Sequence, residues 1–122
     1  MNTFFKSLLA ASLLLAGQSA LACDYPERPE IPDGATATKE EMLAAASAVK
    51  KYLAEVDTFL NCIEQAEAEA VAAMEQVSPE DMQRRAERLD KRFAAANEEK
   101  ALVGEMFNQQ VRSYNAKAKS DD

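Results

Sequence analysis

The sequence predicts an all-α fold: a long antiparallel two-helix hairpin, coiled-coil-like, with a proline-rich extended N-terminal arm stapled back onto it by a disulfide. Three observations carry this expectation. Apolar residues recur at alternating spacings of four and three along most of the chain, the signature of a heptad seam. The pair Ser78-Pro79 interrupts that pattern and restarts it. The two cysteines, Cys23 and Cys62, stand at the head of the arm and deep inside the first helical pattern.

Residues 1–22 read as a signal peptide. A lone charge at Lys6 precedes the apolar run from Leu8 to Ala16, and Ala20-Leu21-Ala22 places small residues at the two sites a signal peptidase reads. A membrane span needs roughly 20 continuous apolar residues, and Gln18 and Ser19 interrupt a shorter run. The expected location is therefore the bacterial periplasm or the exterior. In such a compartment two cysteines pair, so a Cys23–Cys62 disulfide is expected. The alternative is an envelope lipoprotein acylated at Cys23. Ala20-Leu21-Ala22-Cys23 resembles a lipobox, although its leucine stands one place later than that motif prefers, and acylation would leave Cys62 as an unpaired thiol.

Residues 23–37 form the extended arm. Pro26, Pro29 and Pro32 deny it a helix or a central strand, while Tyr25 and Ile31 give it apolar surface. Residues 38–77 form helix 1. Thr38 and Glu41 make a capping box, and Met42, Ala46, Val49, Leu53, Val56, Leu60, Ile63, Glu67, Ala70, Met74 and Val77 make its seam. Residues 78–117 form helix 2, started by Ser78 as N-cap, Pro79 at the first helical position and the acids Glu80 and Asp81. Its seam runs through Met82, Ala86, Leu89, Phe93, Ala96, Lys100, Val103, Phe107, Gln110 and Tyr114. Residues 118–122 are expected to be a disordered polar tail.

A turn at Ser78 would set Glu67 beside Arg92 and Glu75 beside Arg84 or Arg85, so the charge runs read as register-fixing pairs. Helix 1 also carries a second apolar stripe, with Ala45, Ala48, Tyr52, Phe59, Cys62 and Ala66, matched on helix 2 by Ala95, Leu102 and Met106. The arm is the expected cover for this side, burying Tyr52, Phe59, Leu102 and Met106. Lengths agree. Thr38 to Cys62 spans about 36 Å along a helix. The arm from Cys23 to a reversing turn at Pro32-Asp33-Gly34 spans about 34 Å as polyproline II.

Composition narrows function by class. The formal net charge is −7, and the chain has no His and no Trp. Nucleic acid and anionic membranes are poor partners for such a chain. No catalytic residue, metal ligand or cofactor site is expected. Ser and Tyr lack a histidine base. Haem attachment lacks Cys-x-x-Cys-His. Met74 and Met82 fall on the seam rather than in a copper site, and the close acids Glu64, Glu67 and Glu69 read as solvated surface. The run Asn108-Gln109-Gln110 reads likewise.

The expected protein is thus small, exported and non-enzymatic, acting through contact with a protein partner whose identity the sequence does not give. The opposite flank, with Asp57 and Glu64, is the candidate partner surface. A monomer is expected, with a dimer as alternative. Besides the lipoprotein, a further alternative is a periplasmic inhibitor or immunity-type protein whose acidic face meets a cationic secreted enzyme.

Overall fold

The computed structural model describes residues 23–121. The expected signal peptide and Asp122 lie outside the described residues.

Two helices make up the fold, α1 (Lys39–Ala72) and α2 (Pro79–Ser120). Helix α1 starts at the expected capping box. Thr38 Oγ1 accepts from the Glu41 N–H at 3.2 Å, and the Glu41 carboxylate accepts from the Thr38 N–H at 2.7 Å. Helix α2 starts at Ser78, whose hydroxyl accepts from the Asp81 N–H at 3.1 Å, with Pro79 leading the first turn.

The helix ends differ from expectation. Helix α1 stops at Ala72 instead of residue 77, its end closed by the Ala73 N–H donating to the Glu69 carbonyl and the Met74 N–H to the Val71 carbonyl. Its last turn carries no basic residue, so nothing offsets the negative end of the helix dipole. Pro79 also holds Ser78 extended, so the chain must leave the helix before it. Helix α2 runs on to Ser120, past residue 117 and through most of the expected tail. Lys117 and Lys119 favour its last turn, and the Ser120 hydroxyl donates to the Lys117 carbonyl.

The longer connection, residues 73–78, shifts the pairing register. Glu67 meets Arg85 rather than Arg92, with Arg85 Nε 2.7 Å from Glu67 Oε1. Arg92 instead lies over the Phe59 ring, 5.5 Å from its centre. Further from the connection Lys100 pairs with Asp57. Glu75 falls in the connection and pairs with neither Arg84 nor Arg85; Arg84 pairs with Asp81 of its own helix. Partner numbers thus fall on α1 as they rise on α2.

The core lies in the middle of α1. Val49, Tyr52, Val56, Phe59, Leu60 and Ile63 cluster with Ala96 and Val103 of α2, and Cys23 and Ile31 of the arm pack against them. Eight residues of α1 are buried against two of α2. That imbalance arises because α1 packs against both α2 and the arm, and the arm also touches α2 at Glu99 and Gln110. Met74 and Met82 are exposed rather than seam core, because α1 ends before it can cover them.

Candidate functional site

The arm and the helix faces beside it form the most organised surface of the molecule. The Cys23–Cys62 disulfide fixes one end, with the two Cα atoms 5.7 Å apart. Next to it the Tyr25 ring meets Phe59 edge-on at 4.9 Å. Its hydroxyl lies 3.2 Å from that of Tyr52. Tyr52 is only 1% exposed. Burial first, and then the bond to Tyr25, push its phenol pKa far above the ordinary range.

Further along, Arg28 crosses to α2, its Nε 2.6 Å from Glu99 Oε1. The reversing turn forms where the Pro32-Asp33-Gly34 signal placed it. The Asp33 carbonyl accepts from the N–H groups of Thr36 and Ala37, and its carboxylate accepts from Ala35 N–H at 2.9 Å. Gly34 is buried, and its N–H donates to Gln110 Oε1 at 2.9 Å. A Cβ on Gly34 would lie 1.9 Å from the Gln110 carbonyl oxygen, so only glycine lets the turn approach the α2 backbone this closely.

Sequence reading missed both anchors on α2. Gln110 is a docking residue rather than free helix surface. Its signal was available: a turn glycine paired with a polar seam residue at the far end of the arm. The Arg28–Glu99 pair had no such signal, because neither residue stands out from the many other charged residues of the chain.

Of the side chains expected under the arm, Tyr52 and Phe59 are buried, but Leu102 is 47% and Met106 36% exposed. The arm rests on the Glu99 and Gln110 line of α2. Leu102 and Met106 lie between those two anchors along α2 and are left partly uncovered.

The expected partner residues are separated in their chemistry. Asp57 is engaged by Lys100, a seam residue whose side chain is three-quarters covered. Glu64 is exposed and forms no ion pair among the described residues. Among those residues no helix is long and apolar enough to cross a membrane. No family model, curated protein or solved structure matches the chain.

Proposed function

We propose that the chain is a small exported helical protein of the bacterial periplasm, non-enzymatic, that acts by presenting a rigid surface to another protein. The Cys23–Cys62 disulfide carries this reading. Such bonds persist in oxidising compartments, and this one takes up the sulfur that acylation would need. The signal-like pattern of residues 1–22 agrees with it.

The surface is read as an antiparallel, coiled-coil-like hairpin with the arm laid along one groove. The opposed running of Glu67 with Arg85 and Asp57 with Lys100 supports this geometry. The docked Tyr25, Arg28 and Gly34 support a rigid arm. On this reading catalysis has no part, since the chain has no histidine and both cysteines are bonded to each other.

Intact mass of the protein purified from a periplasmic fraction tests the proposal. The expected result is cleavage before Cys23 and a mass two hydrogens below that of the reduced form, recovered on reduction. Added acyl chains would replace the reading with the lipoprotein. Two thiols that alkylate without reductant would reject the disulfide.

A further inference from the structure

The described arm lies in the interhelical groove from the level of Ala45 to that of Cys62. Towards the connection the groove continues without it. One helical turn beyond Cys62 is Ala66, which shares an apolar floor with Ile63 and Leu89 in a cleft of about 300 Å³. Arg85, Arg88 and Arg92 rim that cleft, with the Glu67 carboxylate beside Arg85. A second cleft of about 310 Å³ adjoins it, shares Arg85 and Arg88, and adds Arg84 and Asp81 with the apolar Met74 and Val77.

The arginines share a face by spacing. Arg84, Arg88 and Lys91 stack at four and three residues and Arg85, Arg88 and Arg92 at three and four; Asp81 shares this face, Glu87 borders it beside Arg84 and Lys91, and Asp90 falls on the other side. Their charges are unequally satisfied. Glu67 engages Arg85 and Asp81 engages Arg84. Among the described residues Arg92 meets the face of Phe59 and has no ion-pair partner, and Arg88 has none either. Two guanidinium groups with no ion-pair partner among the described residues thus flank an apolar floor in a chain of net charge −7.

We propose that this groove binds an extended acidic segment of a partner protein, with carboxylates on Arg88 and Arg92 and an apolar side chain over Ile63, Ala66 and Leu89. This rests on the reading that the chain acts through protein contacts and gives that contact a place. The guanidinium fork matches a carboxylate with two parallel hydrogen bonds. Arginine and aromatic residues around a water-excluding apolar patch are the composition of interface hot spots. An extended segment fits because the arm occupies the same groove in that conformation. A polyanionic surface such as a membrane or nucleic acid would meet the repulsion of the whole acidic chain. A short peptide presents its carboxylates within the screening length of the arginines alone.

The test uses the disulfide-bonded protein and fluorescein-labelled decapeptides in which Asp and Glu alternate with Leu or Phe. Matched peptides carry Asn and Gln instead, and vesicles of phosphatidylcholine with phosphatidylglycerol form a separate arm. Anisotropy at near-physiological salt should show the acidic peptides binding at least about tenfold tighter than their amide counterparts. Arg88→Glu should remove about tenfold or more of that affinity while leaving the urea midpoint unchanged, since Arg88 is exposed. Equal binding of acidic and amide peptides, or vesicle binding without peptide binding, would overturn the proposal. Acidic-peptide binding that survives Arg88→Glu would overturn this site while leaving a protein-contact function standing. The mass measurement decides the export reading independently of all these outcomes.

Discussion

The hydroxyls of Tyr25 and Tyr52 lie 3.2 Å apart, joining the arm to a tyrosine that is only 1% exposed in the core. This contact lets a buried phenol stay satisfied without water. It also ties the stability of the fold to the protonation of Tyr52.

The native state holds the Tyr52 proton well above the pH at which a free tyrosine releases it. The unfolded chain loses that proton near about pH 10. The stabilisation is therefore complete below that pH. Above it, stability should fall by up to about 1.4 kcal/mol per pH unit. Urea unfolding at several alkaline pH values checks this, and Tyr52→Phe should show a shallower decline. At neutral pH the same variant should lose about 1 kcal/mol with the Tyr25 bond. An unchanged alkaline slope would show that Tyr52 titrates normally.

Gly34→Ala should destabilise the protein by about 1–3 kcal/mol, the usual range for forced overpacking. The added carbon would fall 1.9 Å from a backbone oxygen of α2, which cannot rotate away as a side chain could. Thermal unfolding measures the loss, and limited proteolysis near Asp33 should find the arm more open. Wild-type stability in this variant would mean that the turn does not sit on Gln110.

Cys62→Ser, or reduction of the native protein, releases a cross-link between residues 39 apart in sequence. The expected loss is about 4 kcal/mol from the added freedom of the unfolded chain. The two treatments should give matching urea midpoints. A variant as stable as the oxidised protein would remove the disulfide from the account of the fold.

Leu102→Glu and Val103→Ala form a contrast between neighbours. Leu102 is 47% exposed and Val103 fully buried. The first should change stability by less than about 0.5 kcal/mol. The second should cost about 2 kcal/mol. Equal losses would restore Leu102 to the core.

Local chemistry was legible in the sequence where a few adjacent residues decide it. Thr38 with Glu41, Ser78 with Pro79, and the Asp33-Gly34 turn each carry their own hydrogen-bonding instruction, and each forms as read. The disulfide was legible because the expected compartment and the arm length pointed to the same pair. The end of α1 was not. The heptad pattern runs on through Met74 and Val77, but the missing basic residue in the last turn and the pull of Pro79 end the helix sooner. A shift near the connection then moved the pairs expected there, which is why Glu67 meets Arg85 and not Arg92. Leu102 and Met106 were misplaced for another reason. Periodicity identifies a stripe, but the width of the arm decides how much of it is covered. The arginine groove was hidden because the same residues had been read as partners for the acids of helix 1.

The seat of Gly34 on Gln110 joins residues 76 apart, the greatest separation among the hydrogen bonds described. Helices assemble from near neighbours and do so fast, whereas contacts this distant must wait for chain closure. The molecule therefore mixes two tempos. Its helical signal should recover early in refolding from denaturant with the disulfide intact. Tyrosine fluorescence, the only strong intrinsic emission in a chain without tryptophan, should report the later arrival of Tyr25 beside Tyr52.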